Sequence, residues 1–350
     1  MRWLRNCWQA AAFSHEVGQA LLPRRFLDEP VILYRTAEGT PVALADKCAH
    51  RYAPLSLGRL VDDTVQCGYH GMCFDRSGTA VSVPGQSAPP ANARVRSYPI
   101  CERHTLVWIW MGDPAKADPD LVPDVHWFDD PQWTCVSGYH RFAANYRLLN
   151  DNLLDLSHES FVHTDTIGNR AVADSPVQAT IVEGRYVKVH RFMAECDPPP
   201  FYVASTGFTT KIDRWHTSYY TPPGSIVIAN GSMPAGCTDR SLAKERRVLN
   251  LVTPETATSS HYFWGVARKY DVHNPELDAF MLAEIARTFD QDKVMLEAQQ
   301  RAIGTDPDPS FPVSIKIDAG PIQGRRLLQA MLEREEAGEP IPALTLPEVA

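Results

Sequence analysis

Cys48-Ala-His50 and, after sixteen intervening residues, Cys67-Gly-Tyr-His70 decide how the first third of this chain is read. Each pair carries one thiol and one imidazole close enough in sequence for a single loop to present both at one small site. Two such loops supply two sulfur and two nitrogen donors. Pro54, Gly58, Gly68, Gly71 and the later Val83-Pro84-Gly85-Gln86 provide the chemistry for both loops to turn tightly.

Two inorganic readings compete for these donors. A structural zinc ion also takes two thiolates and two imidazoles, but zinc fingers usually pair cysteine with cysteine and histidine with histidine, whereas here each pair is mixed. Mixed pairs match the Rieske arrangement, in which two thiolates hold one iron of a 2Fe-2S cluster and two imidazoles the other, raising the reduction potential. The sequence therefore predicts a cluster on Cys48, His50, Cys67 and His70. Cys7, Cys73, Cys101, Cys135, Cys196 and Cys237 fall in no motif and are expected to act as small hydrophobes.

Around the motif lie short strand-like runs, Val31–Tyr34, Val42–Leu44, Val65–Cys67 and Thr105–Trp110, separated by turn residues. They predict a small all-β unit. Gly112, Pro114, Pro119, Pro123 and Pro131 then space out a stretch in which no regular element can run far. The expected division is a cluster domain over 1–112, a connector over 113–137 and a second domain over 138–350. That second domain mixes a helical stretch from about Asn150 to His163 with strand candidates at Tyr186–Phe192, Ser225–Ala229, Val248–Val252 and His261–Ala267. A long helix follows from Pro275 to about Ala302, with Leu277, Met281, Ile285, Phe289 and Leu296 forming its apolar stripe. The end of the chain, EEAGEPIPALTLPEVA, is expected to be peripheral. The fold class is α+β.

A second metal site is suggested inside this domain. Asp155 and His158 share a helix face, but His163, five residues further on, would point about 140° away on a regular helix. The helix must end or distort before His163 if both imidazoles are to meet one ion. Far downstream, Asp292 falls on the apolar stripe of the long helix, three residues after Phe289 and four before Leu296. A buried carboxylate needs a partner. A neighbouring arginine such as Arg287 would serve; so would a metal, because two histidines and one carboxylate form the facial triad of non-haem Fe(II) oxygenases.

Composition narrows the function. With 34 Lys+Arg against 42 Asp+Glu, the net charge is −8 and the pI near 5.8. No block of like charges breaks that balance, so neither nucleic acid nor an anionic membrane is an expected partner. No apolar run approaches a membrane span, and Arg5, Asn6 and Gln9 interrupt the N-terminus before a secretory core could form. A cytoplasmic, reducing location is expected, which leaves thiolates free for metal. No Gly-rich dinucleotide fingerprint follows a strand, so electrons must come from another protein.

Beyond these motifs the chain resembles the oxygenase components of Rieske non-haem iron systems, nearest the vanillate O-demethylase, dicamba O-demethylase and toluenesulfonate methyl-monooxygenase group. The likeness runs through Arg5-Asn-Cys-Trp8, Ala53-Pro-Leu-Ser-Leu-Gly58, Val107-Trp-Ile-Trp-Met-Gly-Asp-Pro114, Asp151-Asn-Leu-Leu-Asp155, Asp213-Arg-Trp215, Thr253-Pro-Glu255, Asp318-Ala-Gly320 and Gln323-Gly324-Arg325. The resemblance implies that Cys48, His50, Cys67 and His70 hold the cluster, that His158, His163 and Asp292 hold Fe(II), and that Asn152 lies near it. It further implies that Asp155 links His158 to His70 of another chain in a head-to-tail homotrimer, as the electron route. The second domain would then be a helix-grip fold, an antiparallel sheet around a long helix.

The implied activity is O2-dependent hydroxylation of a methyl or methoxy group on a small aromatic acid, with electrons from a separate flavin- and ferredoxin-type reductase or a ferredoxin. Asn230, Asn250, His261 and Trp264 are the candidate pocket residues. Three rivals remain: cis-dihydroxylation of an aromatic ring by the same ligands, a pure electron carrier, and a non-catalytic protein with a Cys2His2 zinc site.

Overall fold

The structure, a computed structural model, describes residues 2–306, 309 and 311–339. Of the expected peripheral end, 340–350 lie outside the described residues. The chain divides into two compact units, Arg5–Val122 and Pro123–Ala350 together with Met1–Leu4.

In the unit Arg5–Val122 the strands are β1 (Trp8–Phe13), β2 (Leu22–Phe26), β3 (Glu29–Arg35), β4 (Pro41–Ala45), β5 (Arg59–Val61), β6 (Thr64–Gln66), β7 (Cys73–Phe74), β8 (Ala80–Ser82), β9 (Ser97–Tyr98), β10 (Ile100–Arg103) and β11 (Leu106–Trp110). They pair in three sheets, β1-β11-β10, β2-β3-β4-β9 and β5-β6-β7-β8. Every residue of β11 is buried, as its unbroken apolar run Leu-Val-Trp-Ile-Trp requires of a central strand. Ile32, Tyr34, Val42 and Leu44 from β3 and β4 share one core with Val65 and Phe74 from β6 and β7, and Cys48 and Cys67 belong to that core. The strand expected over Val65–Cys67 stops at Gln66, just before the Cys67–His70 turn.

The second unit is built on seven antiparallel strands, β12 (Thr134–Phe142), β13 (Gln178–Val182), β14 (Tyr186–Cys196), β15 (Ile212–Thr221), β16 (Ser225–Pro234), β17 (Lys244–Thr256) and β18 (Ser259–Arg268), in the order β12-β18-β17-β16-β15-β14-β13. Its helices are α1 (Tyr146–Leu154), α2 (Glu159–Val162), α3 (Arg170–Asp174), α4 (Pro200–Thr206), α5 (Pro275–Ile303) and α6 (Ala319–Glu336). The α5 stripe of Leu277, Met281, Ile285, Phe289, Asp292 and Leu296 is buried. Phe289 sets its ring against Tyr262 and Trp264 of β18, at 5.1 and 5.3 Å, which places α5 on the face of the sheet that those residues share. This is the long helix gripped by an antiparallel sheet.

The helix expected over 150–163 is instead broken ahead of His158. Asn145 starts α1 by accepting from the Arg147 N–H at 2.9 Å, and the helix stops at Asp155, whose carboxylate accepts from the Ser157 N–H at 2.9 Å. A short acid that can cap its own backbone competes with helix continuation. A 3-10 turn over Leu156–His158 and then α2 follow, so both imidazoles leave the axis of α1. The α6 helix is not foreseen by the sequence reading, because Gly320, Pro321 and Gly324 all weigh against helix. Packing supplies the reason: a Cβ at position 320 would stand 2.4 Å from the Leu154 carbonyl oxygen, so only glycine lets α6 cross the end of α1 this closely. No helix among the described residues is long and apolar enough to cross a membrane.

Candidate active site

The two Cys/His loops are closed by the same hydrogen bonds. The Cys48 N–H donates to Ala53 O at 2.9 Å and the Cys67 N–H to Met72 O at 2.8 Å, while Tyr52 N–H returns to Cys48 O at 2.9 Å and Gly71 N–H to Cys67 O at 3.0 Å. Each loop turns back through a left-handed residue, Tyr52 (φ 58°) in one and Gly71 (φ 74°) in the other. Both cysteines are buried and both histidines exposed, with the His50 and His70 rings 4.8 Å apart. Burial pushes the Cys48 thiol up, and its neighbour Cys67 adds to that, whereas backbone N–H groups of His50 and Arg51 pull it down. Amide donors aimed at a buried sulfur favour a thiolate bound to metal. The two sulfurs thus lie at the buried end of the set and the two imidazoles at its exposed end, the division that a cluster with thiolates on one iron and imidazoles on the other calls for. The set suits two metal atoms, one at a dry sulfur end and one at a wet imidazole end.

In the second unit His158, His163 and Asp292 bring one ligand atom each within 4.8 Å of one another. His158 Nε2 stands 3.4 Å and His163 Nε2 3.2 Å from Asp292 Oδ1. The far nitrogens are already committed. His158 Nδ1 lies 2.5 Å from the Asp155 carbonyl oxygen, which can only accept. His163 Nδ1 lies 2.8 Å from Gln291 Oε1, and Gln291 Nε2 donates to Asp165 Oδ1 at 2.9 Å, which fixes the amide orientation. Both rings therefore carry hydrogen on Nδ1 and turn Nε2 toward the carboxylate, the disposition of metal-binding histidines whose other nitrogen is held by an oxygen. Burial works against charge on Asp292, yet His163, His158 and Asn152 keep its carboxyl below the usual range. Burial likewise pulls His163 down, but Asp292 and Gln291 more than offset it and raise it. A divalent cation would displace the proton shared at this corner. Arg287 does not pair with Asp292; it binds Asp165 at 2.6 Å and Glu284 at 2.9 Å.

Asn152 donates to Asp292 Oδ1 at 3.1 Å. These residues open onto a cavity whose apolar wall includes Leu153, Ile228, Val248, Val266, Ile285 and Phe289. Asn230 and Asn250 line it, although Asn250 is occupied by Ile226 O, Val248 O and the Tyr262 hydroxyl. His261 and Trp264 are not among the lining residues. His261 pairs in register with Thr253, three residues from the Asn250–Trp264 pair, and an odd step along a strand puts it on the other face, where it meets Tyr139 OH at 2.8 Å. Trp264 is on the cavity side but spends its ring on Phe289 and His140. The sequence reading missed Gln291, Glu159, Tyr202, His216 and Arg246. The Arg246-Arg247 doublet beside an apolar run was the one visible signal, since one of two adjacent strand residues must face inward.

Two family models match the chain. The Rieske [2Fe-2S] domain covers residues 7–99 and the vanillate O-demethylase oxygenase C-terminal domain covers 142–334. The iron-sulfur subunit of the toluene-4-sulfonate monooxygenase system of Comamonas testosteroni is 39% identical over 346 residues, spanning 96% of this chain and 99% of that protein. The crystal structure of dicamba monooxygenase bound to 3,6-dichlorosalicylic acid superposes with a TM-score of 0.89 at 33% identity, covering 96% of this chain and all of the other. That of dicamba monooxygenase with non-heme iron and dicamba gives 0.79 at 32% identity, covering 97% of this chain and all of the other. Neither a zinc-only protein nor a bare electron carrier accounts for a match over both units. The chain belongs to the Rieske non-haem iron oxygenases, as an oxygenase component of the vanillate O-demethylase type with a 2Fe-2S cluster and a mononuclear iron as its cofactors.

Proposed function

We propose that Cys48, His50, Cys67 and His70 hold the cluster, that His158, His163 and Asp292 hold the iron, and that the substrate is a small aromatic acid hydroxylated on a methyl or methoxy carbon. When bound, the cluster supplies single electrons and the iron activates dioxygen. The carrying observation is the convergence of two Nε2 atoms on Asp292 with both Nδ1 positions already taken. The chain's own residues orient the ligands, keep the corner dry and offer an apolar wall to a flat ring. In balance, substrate, O2, two electrons and two protons give hydroxylated product and water. A hydroxylated methoxy carbon is a hemiacetal, which separates into a phenol and formaldehyde; a hydroxylated methyl carbon remains an alcohol.

The names of the relatives support this choice over cis-dihydroxylation: toluene-4-sulfonate monooxygenase, dicamba monooxygenase and vanillate O-demethylase. Electrons would come from a separate flavin- and ferredoxin-type reductase or a ferredoxin, in the cytoplasm. In a homotrimer Asp155 would join His158 to His70 of the next chain; its backbone carbonyl already holds His158 and its carboxylate is half-buried. The test is a panel of methoxy and methyl aromatic acids with a surrogate reductase, following formaldehyde and oxygen uptake. Substrate-dependent uptake with one hydroxylated product per O2 is expected; a cis-diol as the sole product would refute the reading.

A further inference from the structure

Five arginines are buried in the second unit: Arg191, Arg214, Arg246, Arg247 and Arg268. A buried guanidinium stays charged and needs an anion to offset its lost hydration. Arg214 has Glu159 at 3.5 Å, Arg247 has Glu245 at 3.8 Å and Arg268 has Asp278 at 2.5 Å. Arg191 feels Asp155 and Glu159. Arg246 differs from all four. Its hydrogen bonds go to Asn230 Oδ1 at 3.3 Å, Ser205 Oγ at 3.0 Å and Tyr270 OH at 3.4 Å, and its plane lies over the Tyr202 and Phe201 rings at 4.3 and 5.0 Å. Every one of these partners is neutral, and no carboxylate among the described residues pairs with it.

Register explains where that charge is aimed. His216, Asn230 and Arg246 are direct partners on β15, β16 and β17, so they form one polar rung on the face that lines the cavity. Two residues along, the next rung on that face is Ile228, Val248 and Val266, all apolar cavity wall. The same cavity contains His158, His163 and Asp292. It is thus polarised, with a cation and an amide in one wall, hydrocarbon beside them, and the metal-binding trio elsewhere on its surface. Asp292 would be neutralised by iron and Glu159 is taken by Arg214, so neither is left to balance Arg246.

We infer that Arg246, steadied by Asn230, binds the anionic head group of the substrate, a carboxylate or sulfonate, and so selects which end of the ring faces the iron site. This rests on the aromatic-acid reading above, from which it can be separated experimentally. Nε and Nη1 make the three bonds to neutral oxygens, and Nη2, which makes none of them, is the donor left for an oxyanion. Without ligand the charge is held by ring faces and neutral oxygens alone.

The test is equilibrium binding to the metal-loaded protein, followed by calorimetry with 4-methoxybenzoate, 4-methylbenzenesulfonate and the neutral 4-methoxybenzamide. Wild-type protein is expected to bind at least one of the two anions more tightly than the amide; equal affinity for all three, or no binding of either anion, overturns the inference without reference to any variant. Arg246→Met, with its cluster absorbance checked first, is expected to lose roughly thirtyfold or more in affinity for the anion while the amide changes little. Arg246→Lys should recover part of the loss. A variant that weakens anion and amide alike would make Arg246 a packing residue and end the proposal. Anion binding that depends on Arg246, found in a protein that oxidises none of the methyl or methoxy acids, would support the anchor while refuting the hydroxylation reading.

Discussion

Gln291 holds the Nδ1 hydrogen of His163 at 2.8 Å, and the neighbouring residue, Asp292, receives the other side of the same ring at 3.2 Å. In the proposed iron site, one turn of α5 would therefore both supply a ligand and fix the tautomer of a second. Gln291→Leu keeps the volume but removes the acceptor, leaving His163 free to place its hydrogen on Nε2. Iron affinity is expected to fall about tenfold to a hundredfold, the usual effect of losing an outer partner. Competition against a chelator, read as iron content per cluster, measures it; an unchanged competition curve would remove Gln291 from the site.

Asp292→Ala takes away the one carboxylate of the trio. Mononuclear iron is expected to be lost and oxygenation with it, while the visible absorbance of the cluster stays, since the cluster loops belong to a separate compact unit. Metal analysis beside the visible spectrum distinguishes the centres. Full turnover by this variant would dismiss Asp292 as a ligand.

How much of this was legible in the sequence depends on how far apart the participating residues lie. The proposed cluster loops are local: four donor side chains and their turn residues fall within a short stretch, and the chain announces them by chemistry alone. Asp292 could be found because a single acid on an otherwise apolar helical stripe contradicts its surroundings. The cavity wall was legible only in part. Asn230 and Asn250 were named from their strands and line it, whereas Tyr202 comes from α4, and His216 and Arg246 are brought beside Asn230 only by the pairing register. His261 shows the same limit from the other direction, because without register the face of a strand residue is undetermined. The break at Asp155 was half-visible: the angle between His158 and His163 demanded a distortion, but capping by Asp155 put it earlier than expected.

A pH effect on stability follows from His140. Burial holds its imidazole below the ordinary value, with Asp290 acting in the opposite sense, and Trp264 Nε1 donates to its Nδ1 at 2.9 Å, which requires that nitrogen to be unprotonated. An unfolded chain protonates this histidine near its ordinary value of about 6.5, so below that pH the unfolded state binds the extra proton and stability falls. The loss grows until the pH reaches the lower folded value. His140→Gln keeps an acceptor for Trp264 and cannot titrate, so its urea midpoint is expected to vary less between about pH 7 and about pH 5, which bracket the onset near 6.5, than that of the unaltered protein. Parallel curves for the two proteins would show that His140 contributes nothing to the dependence.

Asp155 performs two tasks at once, and only one substitution separates them from its charge. Its carboxylate accepts from the Ser157 N–H at 2.9 Å, stopping α1 at the right place, and its carbonyl oxygen takes the Nδ1 hydrogen of His158 at 2.5 Å. Asparagine is as good a cap as aspartate and carries the same backbone carbonyl, so Asp155→Asn should fold, load both centres and bind substrate as before. What it lacks is a carboxylate to accept a hydrogen bond from a protonated or metal-bound imidazole of a neighbouring chain. If that bond is the electron route, rapid-mixing oxidation of the reduced cluster by O2 in the presence of substrate should slow by on the order of tenfold to a hundredfold, as for other partners of ligand histidines. Alanine at the same position would confound the result, because it also removes the cap and frees the end of α1. An Asp155→Asn protein that reoxidises its cluster at the unaltered rate would mean that electrons reach the iron without this residue.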